Sequence, residues 1–220
     1  MTSTAISAQG STLSVTSGVA PSPVTLSTCT VTTSSTGTTT AFVSAAAHGL
    51  QNGAQVTFAG ATGANASAIN GLTFAVSVTS TTAFTIQLNT FGLVITVSSA
   101  TIQGVAYVGV GNFRTYNGMD GQASEIDVTN LSSVAKEIRL GLVDFGQIQL
   151  EADHNAADAG QAQLLVQYRS GATTPVILTL PNGNAASFNC FVRKYGIQGG
   201  VDQVVKRQID LRISGPVTWC

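Results

Sequence analysis

Apolar positions along the chain come in short clusters rich in Val, Ile, Phe and Thr, and turn residues bound nearly every cluster. Such runs read as strands rather than helices. They predict strands at roughly 4–7, 12–17, 25–33, 40–45, 55–59, 72–78, 83–88, 92–97, 101–108, 122–129, 146–153, 175–180, 186–197 and 203–213. Asn52-Gly53, Asn70-Gly71, Asn117-Gly118, Asn182-Gly183 and Asp120-Gly121 supply the positive φ that tight hairpins need. Alternation is clearest in the second half. Glu125 and Asp127 share one face with Ala123, opposite Ile126 and Val128. Gln147, Gln149, Glu151 and Asp153 share a face opposite Ile148, Leu150 and Ala152. Val205, Ile209, Leu211 and Ile213 face a core, while Lys206, Gln208, Asp210 and Arg212 face away. These strands predict a sheet with one buried and one wet side.

One segment departs from period two. Asp158-Ala159-Gly160-Gln161 has the form of a capping box, with Asp158 accepting from the first turn and Gln161 reaching back. Ala162, Leu165 and Val166 supply an apolar stripe, and Gly171 can end the helix in the left-handed conformation. The fold class expected from these patterns is all-β with one flanking helix.

Charge sharpens the picture. The chain has 220 residues with 9 basic and 10 acidic side chains, a formal net charge of -1. A protein that coats nucleic acid needs a basic excess, which is missing. Residues 1–113 contain no Lys, Arg, Asp or Glu, and the first charge is Arg114. That shift in composition predicts two structural units. A charge-free surface resists association poorly, which suits a chain working inside a larger assembly. With no apolar run of about 18 residues, no membrane helix is expected. Met1-Thr2-Ser3-Thr4 shows neither the basic nor the apolar part of a secretion signal. Cys29, Cys190 and Cys220 have no disulfide or zinc spacing and are read as free thiols in a reducing compartment.

Candidate chemistry is sparse. Asp153-His154 with Asp158 can be drawn as a metal corner, and equally as a loop leading into the helix cap. Glu125 and Glu151 can be drawn as a pair of glycosidase carboxylates, and equally as solvated sheet residues. There is no Gly-x-Ser-x-Gly elbow and no phosphate-binding glycine loop before a helix. The expectation is therefore no catalytic residue, no metal and no cofactor. In Arg193-Lys194 and Lys206-Arg207, neighbouring strand residues should point to opposite faces, so neither pair is expected to form one basic patch.

Several runs between 118 and 219 carry a resemblance. They are Gly121-Gln122-Ala123-Ser124-Glu125-Ile126-Asp127-Val128-Thr129 leading into Asn130-Leu131-Ser132-Ser133, then Ala135 to Gly146, then Asp158 to Gln161 and Leu180-Pro181-Asn182-Gly183. Gly199-Gly200-Val201-Asp202 and Ile213-Ser214-Gly215-Pro216-Val217-Thr218-Trp219 close the series, and Thr4 to Gly10 matches near the start. In this order they resemble the tail tube protein of lambda-like phages with long non-contractile tails, the siphophage major tail protein. Residues 20–106 interrupt that likeness. Ala47 to Gly53, Val56-Thr57-Phe58, Asn70 to Phe74 and Thr82 to Ile86 resemble a small β module common in phage structural proteins. Within it His48 is read as stabilising a turn. Phe42, Phe58, Phe74, Phe84 and Phe91 sit in strand patterns and are expected in a core.

The resemblance implies two packed antiparallel sheets in a discontinuous core domain, residues 1–19 and 107–220, with an inserted small β domain at 20–106. It implies a homo-oligomer, six subunits to a ring. Stacked rings would form a tube around a tape measure protein, with tail terminator and tail tip proteins as further partners. Genomic DNA would pass through transiently, without specific binding. The place would be the virion, after assembly in the host cytoplasm. Glu125, Asp127, Gln147, Gln149, Glu151 and Asp153 would face the lumen as a phosphate-repelling wall. The loop 130–145, with Asn130, Leu131, Lys136, Glu137, Arg139 and Asp144, would contact the next subunit or ring. The alternative is a carbohydrate- or cell-surface-binding β-sandwich module, with the Ser/Thr-rich insert as its recognition part.

Overall fold

The computed structural model describes residues 7–18, 24–27, 30–33, 40–43, 47–62, 65–88 and 99–220. The predicted strand at 92–97, most of that at 4–7, Cys29 and Phe91 lie outside them. The fold is all-β with one α-helix, and its strand ladders are antiparallel. No helix among the described residues is long and apolar enough to cross a membrane. The chain divides into two compact units: Met1–Val110 with Pro175–Ser187 and Thr218–Cys220, and Gly111–Thr174 with Phe188–Val217.

In the first unit, strand β1 (Thr12–Thr16) pairs with β9 (Tyr107–Gly109) on one side and β14 (Thr174–Thr179) on the other. A second, seven-stranded sheet follows. Its order is β2 (Val24–Ser27), β8 (Ser99–Gly104), β5 (Gln55–Ala59), β6 (Thr73–Val78), β7 (Ala83–Ile86), β4 (Thr40–Val43) and β3 (Thr30–Thr33). The single strand predicted at 25–33 is two strands, because β2 and β3 stand at opposite edges of this sheet and take different partners. The strand predicted at 101–108 is likewise divided, β8 pairing with β5 and β9 with β1.

A charge-free segment must hold itself together by burial and backbone pairing, and its aromatic residues supply the bulk of the burial. Phe42, Phe58 and Phe84 are fully buried; Phe42 stacks on Phe84 at 5.3 Å and tilts against Phe58 at 5.1 Å. Phe74 packs partly buried against them, and Val56, Ile69, Val76, Ile86, Ile102 and Ile177 complete the cluster. Val176, Ile177 and Leu178 of β14 are buried in succession, so both faces of that strand are covered.

In the second unit the strand order is β10 (Phe113–Gly118), β13 (Gln147–Asp153), β16 (Lys206–Trp219) and β15 (Ala185–Gln198). Ile148, Leu150 and Ala152 of β13 are buried, as are Ile209, Leu211 and Ile213 of β16, as their alternation predicted. Val205 was expected in that core; it precedes β16 and is exposed. Strand β10 was missed. Its Asn117-Gly118 reads as a hairpin signal, yet Gly118 lies within the strand at φ 129°. A Cβ there would stand 2.1 Å from the Gln147 carbonyl oxygen, so the glycine serves a close approach of two strands rather than a turn.

The helix α1 (Ala159–Ser170) forms where predicted. Asp158 accepts from the Gln161 N–H at 2.7 Å, and Gly171 closes the helix at φ 63°. Two details differ. The inner face holds Gly160, Gln161 and Leu164, whereas Ala162 and Val166 are exposed. The Gln161 side chain does not reach back to Asp158. Its Oε1 accepts from Asn155 N–H at 3.1 Å, and its Nε2 donates to Gly111 O at 3.1 Å and Asp153 O at 2.8 Å. A glutamine with every bond satisfied can be buried, which pattern reading assigns to apolar residues.

Gln161→Leu keeps the volume and strands three backbone groups. It is expected to destabilise the second unit by roughly 2–5 kcal/mol in denaturant unfolding, since each buried orphan costs ~1–3 kcal/mol. Ala162→Leu on the exposed side should be near neutral; equal losses from both would contradict this placement.

Candidate functional site: the wet sheet face and the ribbon

Strand β13 presents Gln147, Gln149, Glu151 and Asp153 opposite its buried residues. Cross-strand partners lie on the same face of a ladder. On one side Thr115 stands opposite Glu151, and Asn117 opposite Gln149. On the other, Arg212, Asp210, Gln208 and Lys206 stand opposite Gln147, Gln149, Glu151 and Asp153. A shallow groove of about 230 Å³ runs over this face, lined by Thr115, Asn117, Gln149, Glu151, Lys194 and Gln208 among others.

The two acids of β13 are paired. Lys206 Nζ lies 2.5 Å from Glu151, and Arg114 Nε 2.6 Å from Asp153. Arg193 donates to Gln147 and Lys194 to Gln208, both at 3.4 Å. Gln147 and Gln208 share the wet face, so Arg193 and Lys194 do reach one patch, against the expectation of strict alternation. Arg114 and Lys206 therefore neutralise Asp153 and Glu151 here, and Arg193, Lys194 and Arg212 add further positive charge to a face that also carries Asp210. The bare acidic face expected from β13 does not exist; neighbouring strands bring the bases, and reading β13 by itself could not show them.

Glu125 and Asp127 lie elsewhere. Among the described residues, strand β11 (Gln122–Asp127) pairs only with β12 (Ile138–Asp144), in a two-stranded ribbon separate from the sheet of β13. The structure does not bring these two carboxylates into one sheet with Glu151 and Asp153. The predicted long loop at 130–145 is therefore half strand: Ile138–Asp144 pairs back on β11, with Asp127 opposite Ile138 and Glu125 opposite Leu140. The alternation of Ile138, Leu140 and Leu142 with Arg139, Gly141 and Val143 was a visible strand signal.

The tip between them is ordered by its own polar groups. Val128 N–H donates to Glu137 O, and Glu137 N–H to Thr129 Oγ1, both at 3.0 Å. Asn130 Oδ1 accepts from Ser132 N–H at 2.9 Å and from the Ser132 hydroxyl. Asp127 accepts from Thr129, which holds its carboxyl below the usual range, and Lys136 stands 3.8 Å away. Apolar side chains of the ribbon face solvent: Leu131 and Val134 at the tip, Leu140 at 73% exposure and Leu142 at 91%. Arg139 is exposed beside them. At the ribbon's base Asp144 accepts from Gly146 N–H at 2.9 Å and from Arg212.

The remaining candidates are accounted for locally. Asp153 pairs with Arg114, Asp158 caps α1, and His154 Nδ1 accepts from Arg207 Nε at 3.1 Å, so the imagined metal corner is three separate contacts. The Arg207 guanidinium also lies 4.9 Å above the Tyr195 ring. In the first unit, buried His48 ties a turn as expected. Its Nδ1 accepts from Leu50 N–H at 3.1 Å, which leaves Nε2–H to donate to Ser80 O at 3.0 Å. Cys190 is buried, which pushes its thiol up to about 12; Cys220 is half-buried and also raised.

No protein-family model matches the chain, and no curated protein does. Among solved structures, it is similar to a chain of the anti-feeding prophage baseplate, determined by cryo-electron microscopy with six-fold symmetry. Identity there is 13%, covering 52% of this chain and 82% of that one, with a TM-score of 0.41. It is similar also to Hcp1 from Salmonella typhimurium, at 12% identity over 52% of this chain and 79% of that one, with a TM-score of 0.28.

The Gly146 amide and then Arg212 hold the Asp144 carboxyl below its ordinary value. A depressed carboxylate stabilises above its unfolded pKa, and that contribution is lost as pH falls through the folded value. Acidification through that lowered value, beneath the ordinary carboxylate range, is therefore expected to release Gly146 N–H and shift its amide resonance. Asp144→Asn should flatten that response; an unchanged titration curve in the variant would remove Asp144 as its source.

Proposed function

We propose that this chain is a structural subunit that assembles with copies of itself into the tube of a phage tail. The observation that carries the reading is the β11–β12 ribbon. Two strands without a covering layer are marginal in water. This pair nevertheless exposes Leu131, Val134, Leu140, Leu142 and Val143. Exposed apolar surface on this scale marks an interaction site. An open sheet edge at β10 adds a second surface able to take a strand from a neighbour. Docking of ribbons and pairing of edges between identical subunits closes both, and a closed ring is the symmetric solution.

In this reading the ring has six subunits and stacks. A tape measure protein occupies the bore, tail terminator and tail tip proteins close the ends, and the genome passes through. The protein belongs to the virion after assembly in the host cytoplasm, and it is not an enzyme. Asn130, Leu131, Lys136, Glu137, Arg139 and Asp144 lie on or beside the inter-subunit ribbon. The wet face of β13 lines the bore. Its charges are mixed rather than acidic, so passage of DNA there depends on cations already paired within the wall, not on repulsion of phosphate. The aromatic cluster of the first unit is buried, so it offers a glycan no stacking platform, and the recognition-module reading gains no support from it.

Electron microscopy of concentrated protein is expected to show rings or tubes. Leu140→Asp with Leu142→Asp should leave the circular dichroism and melting of the subunit unchanged and sediment as a monomer. A wild-type chain that stays monomeric at every concentration, or a double variant that still assembles, would overturn the assignment of the ribbon.

A further inference from the structure

The chain carries four Asn-Gly pairs, and each holds a latent reaction. The glycine backbone nitrogen can attack the side-chain carbonyl carbon of the asparagine before it. A new C–N bond closes a five-membered succinimide while the bond to the side-chain nitrogen breaks. The glycine proton leaves with that nitrogen as ammonia. Water then opens the ring on either side, giving aspartate or isoaspartate. The reaction is slowed where the side-chain carbonyl or the glycine N–H is held in a hydrogen bond, and asparagine is thermolabile where neither is.

Three of the pairs have both groups tied. Asn52 Oδ1 accepts from Val78 N–H at 3.0 Å and its Nδ2 donates to Gly183 O at 2.8 Å, while Gly53 N–H donates to Val76 O at 2.8 Å. Asn70 bonds both ways to Ala61 at 2.9 Å, and Gly71 N–H donates to Phe58 O at 2.8 Å. Asn182 Oδ1 accepts from Asn184 N–H at 3.1 Å, and Gly183 N–H donates to Leu180 O at 2.9 Å.

Asn117-Gly118 has neither restraint. The Asn117 side chain is exposed in the groove of the wet face and has no partner among the described residues. Met119 N–H donates to Gln147 O at 3.0 Å, so the alternation of an antiparallel ladder turns the Gly118 N–H the other way. Strand β10 is the outer strand of its sheet, so no strand among the described residues receives it. The close approach of Gln147 leaves no room for a Cβ at position 118, so the susceptible glycine cannot be replaced there.

We propose that Asn117-Gly118 is a site of spontaneous deamidation in the folded chain, and that Asn52, Asn70 and Asn182 are held against it. The product is a new carboxylate on the wet face. In the isoaspartyl branch, one extra backbone carbon enters the edge strand where it passes closest to β13. The site therefore ages the open edge of the sheet.

The full chain, incubated in mildly alkaline buffer at physiological temperature, is followed by peptide mass spectrometry at all four sites. Conversion at Asn117 is expected to run at least several-fold ahead of the other three, and the four rates should converge in denaturant. Asn117→Gln should remove the dominant acidic species seen on ion exchange. Conversion at Asn52, Asn70 or Asn182 that keeps pace with Asn117 in the folded protein would overturn the proposal. So would an Asn117 that keeps its amide, or an acidic species that persists in the variant.

Discussion

Strand β13 is paired along both edges and alternates without a fault from Gln147 to Asp153. That one pleat fixes most of the second unit. Ile148, Leu150 and Ala152 point into the core and oblige Ile209 and Leu211 to follow on β16. The opposite parity carries Gln147, Gln149, Glu151 and Asp153, around which the wet face is built. A slip of one residue would exchange the two sets, placing Glu151 and Asp153 in the core and three apolar side chains in water. The ion pairs with Lys206 and Arg114 are consequences of this register, and at a partly exposed surface they add little of their own.

The same pleat explains what could be read without coordinates. Alternation in β13 and β16, the Asp158 cap and the Gly171 stop are local signals, and local signals survive folding. What escaped was set by neighbours. Strand β10 has no apolar alternation, because an edge strand with a polar face leaves little pattern; its glycine is dictated by Gln147 on another strand. Gln161 is buried by three partners, of which Gly111 lies far away in sequence, on the chain before β10. The charge of the wet face depends on β10, β15 and β16 together, so a sum over β13 could not give it. Strand β12 carries a legible signal in the alternation of Ile138, Leu140 and Leu142 with Arg139 and Gly141, although none of these apolar residues is buried in the subunit.

The first unit poses a different problem. Residues 1–113 lack charges altogether, so solubility and specificity rest on hydroxyls, amides and shape. The buried rings of Phe42, Phe58 and Phe84 provide the hydrophobic term, and small polar devices provide the uniqueness. His48 and Asn70 each satisfy two backbone groups in turns that would otherwise bury them unpaired. Thr57 and Thr73 join across a strand pair at 2.7 Å. A fold built this way has no long-range electrostatic repulsion to keep copies apart, which fits the proposed assembly.

The ribbon is the remaining constraint, and it points outward. Full burial of a leucine or valine is worth about 1.5–3 kcal/mol relative to exposure. Leu131, Val134, Leu140, Leu142 and Val143 collect little of that within their own chain. Their turn is nevertheless ordered by bonds among Val128, Thr129, Asn130, Ser132 and Glu137. A segment with no apolar burial has no internal reason to hold leucines in a fixed strand, and polar residues would serve the isolated subunit better. Preorganised backbone with unburied apolar side chains lowers the entropic cost of docking while leaving its hydrophobic gain intact. That combination makes sense when the covering layer is supplied by another molecule, and it is why the assembly reading rests on this ribbon rather than on the wet face.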